Sequence, residues 1–389
     1  VIQKLSPFRV SERRIAYVST YPPRECGIAN FTKDLVDSID QLHKFKPSMV
    51  IAINEERAIY DYDKRVRFQI ERDSLDDYVQ AANYVNLSKV NLLNLQHEFG
   101  LFGGEWGKYV NSFLEELKKP VVTTLHTIVP NFGSTAQTSL KSTVCHSTTI
   151  VVMTRTAMQL LKDYGVQDEK ITVIPHGCPD VPFVVSEGPK TSLGLKGRIV
   201  LSTFGLINRG KGIEYAIRAL PSLIEKEPRI LYLIIGETHP EVRKIEGERY
   251  RRRLMRLVEE LKLGKHVRFH NRFLSKRQLT KYLQATDIYI TSYIDRNQIS
   301  SGTLAYAQGT GKAIISTPYL HAKEALADGR GLLCKFRKPA SIAECVSRLL
   351  EDPELKRHLE KKAHAYSRNF TWMKVAERYA TLFTHLLKD

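Results

Sequence analysis

Short apolar runs of strand length alternate with helix-period stretches along nearly the whole chain, and that alternation begins twice. Arg14–Thr20 is an apolar run behind basic residues, and the turn-rich stretch Tyr21–Gly27 follows it. Ile28–Ile39 then places Ile28, Phe31, Leu35, Val36 and Ile39 on one helical face. Further strands are expected at Ser48–Ile53, Asn91–Gln96, Val121–Leu125, Thr149–Met153 and Ile171–Ile174, with helical patterns between several of them, notably Gly107–Leu117 and Arg155–Tyr164. Strands separated by helices pair in parallel, and a parallel sheet needs helices over both faces.

Composition breaks at Pro182–Gly197, which reads as a linker, and the pattern then restarts. Strands are expected at Arg198–Thr203, Ile230–Gly236, Val267–His270, Ile288–Ser292 and Ala313–Ser316. The helices between and after them are Gly212–Lys226, Tyr250–Lys262, Lys276–Ala285, Ala340–Glu351, Pro353–Asn369 and Trp372–Leu387. The expectation is two Rossmann-like doubly wound α/β domains in tandem, residues 1–185 and 186–369. Residues 370–389 form a helix packing back toward the first, and a ligand cleft faces the strand C-termini. A chain of 389 residues has the length for two such cores.

Other classes fall away on composition. No apolar run nears the roughly 18–20 residues of a bilayer span, and Val1–Arg14, short and of mixed charge, does not read as a signal segment. Five widely spaced cysteines without a CxxC pair argue against a disulfide framework and for a reducing cytosol. The net charge of +17 favours anionic partners without choosing among them.

Two loops carry the chemistry. Phe204–Gly212 joins a strand to a helix, its glycines permitting a tight turn, its Arg209 and Lys211 supplying charge, and the helix start adding N–H donors. That suits a diphosphate, although the spacing is not that of a Walker A loop. Gln298–Thr303 gathers Ser300, Ser301 and Thr303 around Gly302 at a helix start. Those hydroxyls serve as an N-cap, as phosphate ligands, or as both.

The order of motifs resembles the retaining family-4 glycosyltransferases, which have the two-Rossmann GT-B fold. The pieces are the Pro/Gly loop Tyr21–Gly27, a strand ending in His at Thr124-Leu125-His126, the helix start Met153-Thr154-Arg155 and the segment Ile174–Asp180. The phosphate loop Gly205–Gly212 and the helix-to-strand passage Tyr306–Ile315 complete them. The resemblance implies transfer of a hexosyl group, mannosyl favoured, from a nucleotide-diphosphate sugar to a saccharide, lipid-linked or other hydroxyl acceptor. GDP-mannose is the first donor expected and UDP-glucose the next, with no other cofactor and no metal. His126, Lys211 and Arg209 are the implied catalytic set. Donor contacts fall on Gly27, Gly205, Gln298, Ser300, Ser301, Gly302, Thr303, Tyr306, Arg272 and Glu324, and His97 lies on the acceptor side.

Departures are specific. The paired glutamates of the family pattern become Gln298 and Tyr306, and the usual loop Arg falls on Leu206. A subfamily lacking those glutamates is the reading adopted. The alternatives are a noncatalytic nucleotide-sugar or saccharide-binding module and a GT-B epimerase or phosphorylase. His266 and His270 flank a strand without the further ligands a zinc site needs. Glu241–Arg272 holds eleven Lys/Arg against five acidic residues. Its Arg249–Arg256 segment is a solvated face or a contact for anionic membrane, and no nucleic-acid motif is present.

Overall fold

The computed structural model describes residues 12–388, so most of Val1–Arg14, expected not to be a signal segment, lies outside the described residues. The chain divides into two compact units, one running to Gly177 and resuming at Trp372, the other spanning Cys178–Thr371. No described helix is long and apolar enough to cross a membrane.

The first unit is built on seven parallel strands: β1 Arg14–Ser19, β2 Lys46–Asn54, β3 Val66–Glu71, β4 Leu92–His97, β5 Val121–Leu125, β6 Thr149–Val152 and β7 Ile171–Val173. Their order across the sheet is β3-β2-β1-β4-β5-β6-β7. Both faces are covered, so β4 and β5 are buried at every position. One face packs Tyr78, Ala81, Ala82 and Val85 of the helix Leu75–Leu87 against Ile51, Ile53 and Leu93. The closing helix Trp372–Leu386 lies along the helix Gly27–Gln41, and its Tyr379 hydroxyl is 2.8 Å from Thr124 Oγ1 of β5.

The second unit has six parallel strands: β8 Ile199–Phe204, β9 Ile230–Ile235, β10 Val267–His270, β11 Ile288–Thr291, β12 Ala313–Ser316 and β13 Leu332–Leu333. Their order is β10-β9-β8-β11-β12-β13. The wholly apolar β9 pairs with β8 from Ile199↔Ile230 to Phe204↔Ile235, and every one of its residues is buried. Burying each such aliphatic side chain contributes about 1.5–3 kcal/mol.

Both sheets reverse their order of winding once, between β1 and β4 in the first unit and between β8 and β11 in the second. At such a point the loops leaving the two strands run apart and open a crevice at the strand C-termini, where ligands of open α/β sheets bind.

The domain boundaries differ from those read in the sequence. The first falls at Gly177/Cys178 rather than 185/186, and the return at Thr371/Trp372 rather than 369/370. Cys178 bridges in parallel to Thr371, and Phe183 packs on His364 with ring centroids 5.5 Å apart, so the expected linker belongs to the second unit from its first residues. Pro182–Gly197 is itself ordered, with a helix at Glu187–Ser192. Lys190 Nζ lies 2.8 Å from Asp287, Ser186 donates to the same carboxylate at 2.6 Å, and Leu195 is buried. A stretch holding Pro182, Pro189 and three glycines reads as a linker, but one buried ion pair pins it to the sheet.

Candidate functional site

In the second unit the loop after β8 is shaped by glycine. Gly205 has φ +121°, and a Cβ there would stand 3.1 Å from Lys211 Nζ and 3.1 Å from Thr303 Cγ2. Gly236, at φ +133°, lies so close beneath it that a Cβ would meet the Gly205 carbonyl oxygen at 2.2 Å. The short 3₁₀ turn Arg209–Lys211 follows, then Gly212 in the left-handed conformation as it opens the helix Ile213–Lys226.

The turn carries Lys211 into the β8/β11 crevice. Its buried Nζ donates to the Tyr293 hydroxyl at 2.8 Å and sits 4.5 Å from that ring's centre. The same hydroxyl is 2.9 Å from Thr303 Oγ1, which is 3.2 Å from Ser301 Oγ. Burial alone would raise the Tyr293 phenol, but the neighbouring Lys211 ammonium and the hydrogen bonds from Lys211, Thr303 and Ser301 together hold it below its ordinary value. Tyr293 stacks on Tyr319 at 5.1 Å, which fixes the ring plane.

Ser301 caps the helix Gly302–Gly309 by accepting from Leu304 N–H at 3.3 Å. The N–H groups of Gly302 and Thr303 lie in the first turn, where no intrahelical carbonyl is available to them. An ammonium, a hydroxyl pair and a helix start thus share one crevice, a set of donors suited to a diphosphate.

Other residues of the expected donor set are placed differently. Arg209, expected beside Lys211, is exposed; its guanidinium pairs with Glu246 at 2.9 Å and lies over the Tyr250 ring at 5.9 Å. Three residues per turn send positions 209 and 211 in different directions, which accounts for the split. Gln298 is half-buried, and its Nε2 donates to the Ser300 carbonyl at 2.6 Å, so the amide holds its own loop. Tyr306 packs with the apolar cluster around Phe204, its ring 6.3 Å from that ring. Arg272 is exposed, and Glu324 lies half-buried on the short helix Leu320–Ala325.

In the first unit the ends of β4 and β5 carry a second polar cluster. Gln96 Nε2 donates to Asn94 Oδ1, which leaves Gln96 Oε1 to accept from His126 Nε2 at 2.8 Å. A neutral His126 then presents Nδ1 as an acceptor. Burial, with His176 and His97 adding to it, pushes His126 down to about 3. Phe31 meets the edges or faces of His126, His176 and Trp372 at 4.9, 5.0 and 5.1 Å. Gly177 leaves room for that indole, since a Cβ would stand 2.3 Å from it.

His97 is fully buried between Phe99 and Phe102, and neither ring nitrogen has a hydrogen-bond partner. Its neighbour Glu98 is less enclosed by the strand end. That carboxyl is half-buried, accepts from Thr127 Oγ1 at 2.5 Å, and is raised above its ordinary value by burial. Gly27 opens its helix with nothing within 4 Å of where a Cβ would lie. A cavity of about 370 Å³ elsewhere in this unit, lined by Leu140, Lys141, Val144, Tyr164 and Lys170, contains none of these residues. Among the described residues no three His, Cys, Asp or Glu side chains converge as a metal site requires.

Sequence reasoning missed Tyr293, whose place after a strand reads as core, and Glu98, a single acid in a mixed loop. The phenylalanine variant tests the first. Tyr293→Phe keeps the ring and removes the partner of the Lys211 ammonium, so kcat/KM for a nucleotide sugar is expected to fall roughly tenfold. Its pH profile is expected to lose the limb contributed by the phenol, whereas a packing role alone would leave the profile unchanged.

Two parallel-sheet Rossmann-like units, the second with a phosphate-suited crevice, are the architecture of the GT-B fold. A Glycosyltransferase Family 4 model matches residues 71–180 and a Glycosyl transferases group 1 model matches residues 189–366. Each model matches a separate stretch shorter than half of this chain, and the fold is that of the GT-B glycosyltransferases. It is 25% identical over 244 residues to an uncharacterized glycosyltransferase of Methanocaldococcus jannaschii, covering 61% of this chain and 58% of that protein. It is 26% identical over 235 residues to D-inositol 3-phosphate glycosyltransferase of Corynebacterium efficiens, covering 58% and 53%. The chain thus spans little more than half the length of these curated relatives. Among solved structures, HepE of Anabaena in complex with UDP superposes with a TM-score of 0.74 at 15% identity, covering 96% of this chain and all of that one.

Proposed function

We propose that the chain transfers a hexosyl group, with retention, from a nucleoside-diphosphate sugar to a hydroxyl acceptor. The observation that carries this reading is the Lys211–Tyr293–Thr303 cluster at the β8/β11 crevice. Departure of a nucleoside diphosphate develops negative charge on its terminal phosphate. The Lys211 ammonium, oriented by Tyr293, and the first-turn N–H groups of Gly302 and Thr303 stabilise that charge without reorganising. Gly205 brings the backbone close enough for the phosphates to approach.

In the first unit His126 Nδ1 accepts from a sugar hydroxyl, and Glu98 and Thr127 bind hydroxyls of the acceptor. Among the described residues no atom lies within 4 Å of where a Gly27 Cβ would stand, so that helix start is open to a ligand. The hydrogen bonds around Lys211 involve hydroxyls rather than a carboxylate, and attack on the face that the diphosphate leaves is preferred, the acceptor proton passing to the departing phosphate.

Resemblance favours mannosyl from GDP-mannose; the complexes of HepE with UDP and UDP-glucose favour a uridine donor, and we place UDP-glucose first. The curated relatives named for D-inositol 3-phosphate act on a phosphorylated acceptor. The Glu98 carboxyl disfavours a phosphate at its own position, so an uncharged saccharide or a lipid-linked sugar is the acceptor proposed. Incubating the protein with UDP-glucose or GDP-mannose and a panel of saccharides tests this by proton NMR. An α-linked product from an α-linked donor is expected. A β-linked product refutes retention, and release of neither nucleotide in the presence of any saccharide refutes the transferase reading.

A further inference from the structure

One helix is dense in arginine, and the structure sorts its five arginines into two kinds. In the helix Arg249–Glu260, Tyr250, Arg251, Leu254, Leu257 and Val258 are buried against the second unit's core. Arg251 belongs to that inner side, where it bonds Glu248, the Gly236 carbonyl and Asn271. Arg249, Arg252, Arg253 and Arg256 are exposed, and their i, i+3, i+4, i+7 spacing aligns them as one stripe on the opposite side. Among the described residues none of these four pairs with a carboxylate, although Arg209, Arg243, Lys244 and Arg251 around them all do.

Two apolar side chains of this stretch of the chain stand in water. Met255 of the same helix is 41% exposed, and Ile245, just before it in the chain, is 82% exposed. Four guanidiniums without a carboxylate partner among the described residues, with an exposed methionine on the same helix and an exposed isoleucine close by in the chain, match a surface with phosphates outside and hydrocarbon beneath. Guanidiniums pair bidentately with phosphate oxygens, while exposed aliphatic side chains gain by entering the headgroup boundary. A nucleic-acid duplex offers the phosphates but no place for the isoleucine.

The inner side of this helix supports the phosphate loop. The Tyr250 hydroxyl accepts from the Ile213 N–H at 3.2 Å and donates to Glu214, and Arg209 lies over the Tyr250 ring. The stripe is therefore one helix thickness from the loop that carries Lys211.

We propose that the Arg249, Arg252, Arg253 and Arg256 face docks the second unit on an anionic lipid bilayer. Docking there holds the phosphate loop at the membrane surface, where a lipid-linked acceptor is presented. Binding itself needs neither donor nor acceptor, so it stands or falls separately from the transferase reading.

Sedimentation with vesicles of phosphatidylcholine alone or with about 30% phosphatidylserine tests the docking. The protein is expected to bind the anionic vesicles, to release as salt rises, and to leave neutral vesicles in solution. At about fivefold per arginine, replacing all four by glutamine is expected to weaken binding at least a hundredfold. Ile245→Ser is expected to weaken it several-fold with the salt dependence unchanged. If the fourfold variant melts early, the pairs R249Q/R256Q and R252Q/R253Q, each expected to lose roughly 25-fold, replace it. Failure of the unaltered protein to bind anionic vesicles overturns the proposal, as does equal binding by the fourfold variant. Tighter binding to duplex DNA than to vesicles at equal ionic strength, lost in the same variant, also overturns it.

Discussion

Replacing Lys211 by alanine is expected to lower kcat by about 100- to 1000-fold, which corresponds to ~3–4 kcal/mol of lost transition-state stabilisation. The size follows from the setting. Lys211 is buried and its ammonium is fixed by Tyr293 at 2.8 Å, so its charge is screened less than that of a surface lysine. The fold itself loses little, because Tyr293 keeps Thr303 as a partner and its stack on Tyr319. Lys211→Arg is expected to rescue poorly. With Gly205 packed against Nζ, a planar guanidinium has no room there. Single-turnover rates at saturating donor, compared with the melting temperature of each variant, separate chemistry from folding. Near-full turnover by Lys211→Ala removes the assignment.

The first unit is expected to lose stability steeply as pH falls from about 6.5 to 4. Burial holds His97 at about 4, His126 at about 3 and His176 at about 4, all below the ordinary value of 6.5. Above pH 6.5 these rings are neutral in both folded and unfolded chains and stability is at its full value. Below it the unfolded chain takes up protons that the folded chain refuses, so stability is lost until the folded values are reached. Three such groups give a limiting slope of about 4 kcal/mol per pH unit. Glu98, raised by burial, acts in the opposite sense and trims the loss.

Trp106 and Trp372 are the chain's two tryptophans, and both lie in this unit, so intrinsic fluorescence reports its unfolding selectively. Its thermal midpoint is expected to drop by many degrees between pH 7 and pH 4.5. His97→Phe is expected to flatten the slope and to raise the midpoint at pH 5, since it replaces a buried ring with two unpartnered nitrogens by one with none. A midpoint independent of pH over this range, or an unchanged slope in the variant, contradicts the reading.

The elements legible in the sequence are those whose burial is complete. β9, Ile230–Ile235, is apolar throughout because both its faces are covered, and the run can be nothing but a buried strand. β3, Val66–Glu71, was missed although Val66, Phe68 and Ile70 alternate with Arg67, Gln69 and Glu71 as a half-buried strand does, because the charged residues on either side of it hide so short a period. The two-residue β13 has no periodicity to read. The segment around Lys190 reads as a linker because nothing local reveals Asp287, about a hundred residues further on, as its partner.

The candidate site divides in the same way. Lys211, Ser301 and Thr303 are legible because a strand, a glycine turn and a helix start lie next to one another in the chain. The pairing of Arg209 with Glu246 joins positions 37 residues apart, and no spacing rule links them. Tyr293 stands beside Lys211 only because β8 and β11 are neighbours in the sheet. Chemistry written within one loop could be read; chemistry assembled by strand order had to be seen.

The central claim is that the second unit binds a nucleoside diphosphate at Lys211 without a divalent metal. Calorimetric titration with UDP and with GDP, in the presence of EDTA, tests it on the unaltered protein and on Lys211→Ala. The account predicts saturable binding of at least one of them to the unaltered protein and at least tenfold weaker binding to the variant. Binding of neither, binding that appears only when magnesium or manganese is added, or equal affinity for both proteins would contradict it.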